Sequence, residues 1–586
     1  MDALRSVPRL LSGRRGRIFA GLAVNGAAQA VAAVGCAWVM HRIFDTLGTP
    51  LAESGEGYGE VPALIGMLLA GGLALALLRA VERVQAERLG QDYAAELRLA
   101  LYDSMSQQSP RRMQLRSRGA TILRFVGDLK GIRRWIGFGL PRIAVGSISG
   151  ALALLALASV SAWIAFAAAV GFAIGGVMLA VLSVRVDPSV REARRRQARL
   201  TANVNDKIGG IAVVQVFDQV RRERQRIERQ GLELGAAVVE QARGLALLKS
   251  SAEFSAALAS AAVLLAGARE VATAAISPSQ LIGAVTVIGL VSPVFREFGQ
   301  ALGYWRAARV SVDKISSFLA APRLADGAGG SAPAAVGQDD DEVQTPPARA
   351  PAIEFRAVGL GTALRDFSAV APAGKLVAIV GPSGAGKSTL LGLAARLVEP
   401  DDGAVFLDGR PVGDIPLAAL RRMLGVVMPD LPLLRGSIGR NLRYRWPGAP
   451  DAEVERVAGL CGIDELLAGF PYGARTRVAD AGSNLSYGQR QRIAWARALL
   501  GHPQVLLLDE ADANLDPASA SRLARVLAGF QGTVLMVTHQ FPRMMQADLV
   551  WYVEAGRLLE SGTPSELMNR VSRTRRLFQR ESHIAG

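Results

Sequence analysis

The chain has 586 residues, half of them hydrophobic, with a mean hydropathy of +0.25 and a formal net charge of +16. That length calls for two or more domains, and that hydropathy is high for a protein living wholly in water. Cys36 and Cys461 are the two cysteines, and their separation excludes a disulfide framework and a thiolate metal site.

From the N-terminus, apolar stretches long enough to cross about 30 Å of hydrocarbon fall at residues 18–40, 61–78, 143–160, 162–184, 245–266 and 281–294. The third and fourth nearly touch, and Arg296 with Glu297 closes the sixth. Arg14, Arg15 and Arg17 flank the first span, and thirteen Lys and Arg lie in residues 185–243. In contrast, residues 46–60 hold three Glu and no Lys or Arg. The positive-inside rule then places both termini in the cytoplasm. The basic excess therefore reports topology, not a nucleic-acid footprint. The first span is too long for a signal peptide and lacks a small-residue cleavage site, so it is expected to be retained. About sixty polar, helix-patterned residues separate spans two and three, and a similar number spans four and five.

Charges within spans are costly and usually face a wet interior or a partner. Lys249 and Glu253 lie one turn apart in span five, with Arg296 and Glu297 toward the same end of span six. They form either an i,i+4 pair with two residues reaching the interface, or a polar ring at the mouth of a path for an amphipathic or charged organic solute. Residues 320–352, rich in Ala, Gly, Pro and Asp, make a flexible tether; the acidic run 339–342 has no legible function.

Beyond the tether, Gly381, Pro382, Ser383, Gly384, Ala385, Gly386, Lys387 and Ser388 spell Gly-x-x-x-x-Gly-Lys-Ser, followed by Thr389. An apolar strand precedes this run and a helix follows it. Glycines keep Cβ atoms away, so backbone N–H groups can face the α- and β-phosphates of a nucleotide. Lys387 is placed for the β/γ-phosphates and Ser388 for Mg²⁺. Next in the chain, Leu485, Ser486, Tyr487, Gly488 and Gln489 open a helix, giving a hydroxyl and free N–H groups at an anion-attracting end. A later apolar strand ends in Asp509 and Glu510: one carboxylate for the Mg²⁺ shell, one to polarise an attacking water. Another strand ends at His539, one of four histidines, whose imidazole can hydrogen-bond a γ-phosphate and sense its loss.

With these segments in this order and spacing, the chain resembles the ATP-binding cassette (ABC) family, in its exporter-type form. The resemblance implies an α-helical polytopic membrane domain of six spans with long cytoplasmic helical extensions (residues 1–320), a linker (321–352), and an α/β P-loop ATPase domain with an α-helical subdomain (353–586). It implies ATP and Mg²⁺ as cofactors, a bilayer setting in the bacterial inner (plasma) membrane, and a small organic substrate. Two cassettes would pair head to tail, each ATP lying between one phosphate loop and the partner's Ser486-type signature. Asn514, Leu515 and Asp516 fall at the family's D-loop, and residues 119–128 and 205–218 at its coupling elements.

Three departures stand out. Residues 356–363 lack the aromatic on which adenine normally stacks, and the nearby Phe355 and Phe367 look like core positions. Pro429 stands where the Q-loop glutamine belongs, and proline supplies no amide. Tyr487 replaces a signature glycine. Two functional classes follow: an ATP-driven half-transporter, or a non-transporting ATPase or regulatory, ATP-gated membrane protein, such as a catalytically weak subunit of a heterodimer. The departures tilt assembly toward a heterodimer with a complete partner over a homodimer. Export and siderophore-type import both stay open.

Overall fold

The computed structural model describes residues 8–47, 59–109, 121–122, 124–321, 324, 349–513 and 515–584, and the side chains at 185, 187, 294–296 and 580–584 are not described. The chain forms two compact units, one of residues 1–108 and 113–322 and one of residues 109–112 and 323–586.

Six helices of the first unit are long and apolar enough to cross a membrane: Arg14–Leu47, Val61–Ser106, Arg124–Val160, Ala162–Val184, Val220–Ala272 and Pro278–Leu319. Each contains one of the six expected spans. The helix from Ala162 continues to Gly209, 48 residues in all, and Val220–Ala272 has 53. At 1.5 Å per residue these reach about 70–80 Å, far beyond a 30 Å hydrocarbon layer. The polar stretches of the sequence are thus continuations of the spans. Between them sits the short helix Ile211–Val216, inside the segment expected to hold a coupling element. Spans three and four meet at Ser161, whose hydroxyl accepts from the Trp163 and Ile164 amides at 3.1 and 3.4 Å and so caps the fourth helix. Small residues set the helix contacts: a Cβ on Gly171 would lie 2.6 Å from the Ala259 Cα of the neighbouring helix. Cys36 and Cys461 are both buried and free.

The second unit holds twelve described strands. An antiparallel sheet in the order β2-β1-β4-β5 is built from β1 (Ile353–Leu360), β2 (Leu364–Ala371), β4 (Asp402–Leu407) and β5 (Arg410–Pro411). The larger sheet runs β12-β11-β3-β10-β9-β6, from β12 (Arg557–Gly562), β11 (Leu549–Glu554), β3 (Leu376–Val380), β10 (Thr533–Val537), β9 (Val505–Asp509) and β6 (Leu424–Val427). A two-stranded ribbon joins β7 (Gly436–Ser437) to β8 (Arg477–Val478). The pairs of β3, β10, β9 and β6 are parallel, and their residues are apolar on both faces. Alternation divides them between two cores. Val505, Leu507, Leu535 and Val537 join the helix Lys387–Ala394 on one side. Leu506, Leu508, Val534 and Met536 join the helix Tyr487–Leu499 on the other. Phe355, Phe367 and Trp551 meet edge to face with centroids 5.6–6.1 Å apart. Both phenylalanines are therefore core, as their pattern indicated, and β1 runs on through most of the stretch that lacks an adenine-stacking ring.

The segment 110–120, most of the tether including 339–342, Leu123, Asn514 and the Arg296 side chain lie outside the described residues.

Candidate functional site

Strand register levels the carboxyl ends of three strands. Val537 of β10 lies opposite Asp509 of β9 on one side and Ile379 of β3 on the other. A one-residue slip would turn each strand's buried set to the opposite face, so the double burial fixes this register. The loop 381–386 leaves β3 there, Asp509 closes β9 with Glu510 after it, and His539 stands two residues past β10. Such a strand-end crevice is where open parallel sheets place their ligands.

The loop is held open by backbone that only glycine adopts easily. Gly386 has φ +98°, and a Cβ there would sit 2.6 Å from the Ala363 carbonyl oxygen. Gly384 has φ +78° and faces space with no atom within 4 Å of a would-be Cβ. Lys387 is buried, and its Nζ donates to the Gly381 and Pro382 carbonyls at 2.7 and 2.9 Å. This holds the ammonium across the loop, where phosphate oxygens can exchange for the carbonyls. Asp509 is buried beside Ser388, whose hydroxyl it binds, and its Oδ1 has no hydrogen-bond partner. Burial pushes its carboxyl above the ordinary range; the Ser388 bond opposes this, Glu510 adds to it, Lys387 opposes and Asp430 adds. A buried carboxylate oxygen without a donor, next to a hydroxyl, fits a hard cation such as Mg²⁺. Asp509 and Ser388 would hold it, with ATP and water filling the remaining positions.

Glu510 adopts φ +49°, and its N–H donates to the Val537 carbonyl at 3.1 Å. The strained turn carries the carboxylate toward β10, where Glu510 Oε1 lies 3.8 Å from His539 Nε2. The two groups expected to handle water and γ-phosphate therefore face each other. Val427 of β6 pairs with Leu508, so Pro429 follows β6 at this same end of the sheet, and the adjoining Asp430 adds its negative field to Asp509.

Leu485 is buried and anchors the signature, while Ser486 caps Tyr487–Leu499 through a capping box with Gln489, at 2.8 and 3.2 Å. The Tyr487 hydroxyl accepts from Gln491 at 2.9 Å and its ring lies under Arg490, so this residue leaves the cap intact. The signature helix and the helix after the phosphate loop bury against opposite faces of one sheet. Ser486 and the loop of the same chain are thus not brought together. Asp516 caps the helix Pro517–Gly529, accepting from the Ser519 amide and hydroxyl at 2.9 and 2.7 Å.

In the helical unit, Lys249 and Glu253 form an exposed i,i+4 pair at 4.0 Å. Glu297 instead pairs with Arg142 of the third span at 3.0 Å, and Arg142 also donates to Gln300 at 3.0 Å. Beside them Gln29 donates to Asn25 and Glu82, both at 2.7 Å, and a cavity of about 150 Å³ opens between Gln29, Arg79, Glu82, Arg142 and Glu297. Hydropathy alone missed this cluster. Its signal was Asn25 and Gln29, two amides one turn apart inside the first span.

A six-helix membrane unit joined to a nucleotide-phosphate cradle defines a membrane-embedded P-loop ATPase. Residues 364–513 match the ABC transporter family, and residues 23–294 match the ABC transporter transmembrane region. The chain belongs to the ABC transporter family and is a transport-coupled, ATP-binding, multi-pass membrane protein. It is similar to the uncharacterized ABC transporter ATP-binding protein YknV of Bacillus subtilis (27% identity; 82% of this chain, 79% of that protein). The multidrug efflux ATP-binding/permease protein Rv0194 of Mycobacterium tuberculosis is 29% identical over 89% of this chain, which spans only 43% of that protein. The fatty acid ABC transporter ATP-binding/permease protein of Mycobacterium bovis is 25% identical (96% and 89% covered). The fold matches a bacterial Atm1-family ABC exporter with ATP bound, at TM-score 0.83 and 23% identity over 98% of this chain and all of that one.

Proposed function

We propose that this chain is an exporter subunit that hydrolyses ATP to move a small amphipathic organic solute across the bacterial inner membrane, with both termini and the cassette in the cytoplasm. The membrane domain would end at residue 320 and the cassette begin at residue 353. The observation that carries this reading is the convergence of the phosphate loop, Asp509 and the Glu510–His539 pair at one sheet edge. Lys387 steadies the β- and γ-phosphates through its buried ammonium. Mg²⁺, when bound, neutralises phosphate charge. Glu510 accepts a hydrogen bond from the attacking water and orients it, and His539 donates to the γ-phosphate. The solute path runs beside the Arg142–Glu297 pair and the Gln29–Glu82 cavity, whose mixed charge within apolar helices suits an amphipathic molecule. The multidrug and fatty acid relatives support that class.

The working unit is a dimer, because the signature helix and the phosphate-loop helix pack on opposite faces of one sheet and Ser486 must serve another chain's nucleotide. Pro429 and the missing adenine-stacking ring favour a heterodimer in which this chain brings the weaker site. The mass of the detergent-solubilised particle from this chain alone checks assembly: a stable homodimer with solute-stimulated turnover overturns the heterodimer. Glu510→Gln is expected to keep ATP binding and lower turnover about 10²–10⁴-fold, the size of a general-base contribution, once any partner's own site is silenced. Wild-type hydrolysis by that variant would sink the role of Glu510. In the same assay Arg142→Gln should change solute stimulation and spare basal hydrolysis; stimulation identical to wild type removes Arg142 from the path.

A further inference from the structure

We infer that Asp512 is a positioning residue of the ATPase site, tying the turn that carries Glu510 to the turn that carries His539. The inference rests on the roles proposed above for those two residues. Asp512 lies two residues past Glu510 and is 2% exposed, and Thr538, immediately before His539, is 1% exposed. A carboxylate so far from water is costly unless hydrogen-bonded, and beyond its own backbone N–H the partners of Asp512 here come from the His539 turn.

The Thr538 hydroxyl donates to Asp512 Oδ2. With its proton committed, that hydroxyl accepts from the Gln540 backbone N–H at 3.0 Å. The Gln540 side-chain amide then reaches back to the Asp512 carbonyl oxygen at 2.8 Å. The residues on both sides of His539 are therefore anchored to one residue of the Glu510 turn. The circuit closes through the backbone, where the Glu510 N–H donates to the Val537 carbonyl and the Ala513 N–H to the Glu510 carbonyl, both at 3.1 Å. His539 and Arg543 are the charged neighbours that bear on Asp512. Arg543 donates elsewhere, to the Ala520 carbonyl and to Gln546, and supplies field without a direct bond. A buried, fully engaged network of this kind fixes geometry more than it adds stability. Here the geometry fixed is the 3.8 Å approach of His539 to Glu510.

The test uses the full-length protein reconstituted in liposomes, comparing Asp512→Ala, Asp512→Asn, Thr538→Val, Thr538→Ser and the Asp512→Ala/Thr538→Val double variant. Asp512→Ala and Thr538→Val should each lower kcat about 10- to 100-fold, the usual effect of losing a group that orients a reacting one. KM for ATP should stay within about twofold, because nucleotide binding relies on the phosphate loop. Asp512→Asn and Thr538→Ser, which keep the acceptor and the hydroxyl, should recover most of the rate. The double variant should be no slower than the slower single, since both remove one linkage. Multiplicative losses, a loss in KM alone, or wild-type kcat in Asp512→Ala would overturn the inference. A rate that falls only in step with the melting temperature would assign Asp512 to stability and overturn it too. Should Asp512→Ala fail to fold, Thr538→Val and Thr538→Ser carry the comparison. Glu510→Gln runs alongside: if it is inactive while Asp512→Ala is normal, only the positioning role fails, and if it is active, the reading of Glu510 itself fails.

Discussion

The helical unit and the cassette use apolar residues in opposite ways. In the cassette sheet every residue of β9 and β10 is buried, and the largest side chains, Trp551, Phe355 and Phe367, are within 1% of full burial. In the helices, Leu69, Val24 and Leu265 stand 69–77% exposed, while small residues such as Ala33, Ala37, Ala259 and Ser149 are buried. Water drives the first arrangement, because each buried apolar side chain leaves it. Lipid removes that drive in the second, since tails are as apolar as leucine, and close backbone approach decides the packing instead. Apolar character therefore marks the core of one unit and the lipid-facing surface of the other.

Substitutions sharpen that contrast. Trp551→Ala should cost about 3–5 kcal/mol, the usual penalty for emptying a large buried aromatic, read as a lower denaturation midpoint of the cassette. A loss below about 1 kcal/mol would mean that the three-ring cluster is not a tight core. Gly171→Ala, one added methyl against the Ala259 backbone, should destabilise by about 1–3 kcal/mol through overpacking. Leu69→Ala, which removes three carbons from an exposed helix face, should stay within about 0.5 kcal/mol. If Leu69→Ala proves the costlier of the two in detergent melts, that face is covered by protein and the contrast breaks.

The smallest effect concerns charge. Burial pushes the Asp512 carboxyl above its ordinary value, while the Thr538 hydrogen bond and the nearby Arg543 and His539 hold it down. A carboxyl raised in the folded state binds its proton there more readily than in the unfolded chain. Ionised burial thus costs stability at neutral pH, and the cost is relieved as pH falls through the raised value toward the unfolded one. Melting temperatures of wild type relative to Asp512→Asn should rise as pH is lowered from 7 toward 4, and a flat difference would show that Asp512 is not desolvated.

Much of this was legible in the chain itself. Six apolar stretches and their arginine flanks gave the helical unit, because hydropathy is a local property. Gly381–Ser388, Asp509, Glu510 and His539 pointed to the proposed nucleotide site, because phosphate chemistry demands glycines, a lysine and hard oxygens at fixed spacing. Asp512 passed unnoticed, since one Asp in a loop carries no signal until Thr538 is brought against it. Glu297 read as a residue reaching the interface or joining a polar ring, and in the fold it pairs with Arg142 on a helix more than 150 residues away. The helical extensions of the spans were expected from their polar, helix-patterned residues and the family resemblance, though hydropathy alone marks only the apolar part of each helix.

The sequence by itself determined which residues could bind a phosphate, hold a cation or cross a membrane, because those are properties of side chains and short spacing. Tertiary structure alone decided which of them meet. Parallel register placed Val537 between Asp509 and Ile379 and so set three strand ends level. The alternation of the same strands sent the signature helix to one face of the sheet and the phosphate-loop helix to the other. Both outcomes arise from burying two apolar faces of one sheet, a free energy summed over residues distant in the chain that no local window contains.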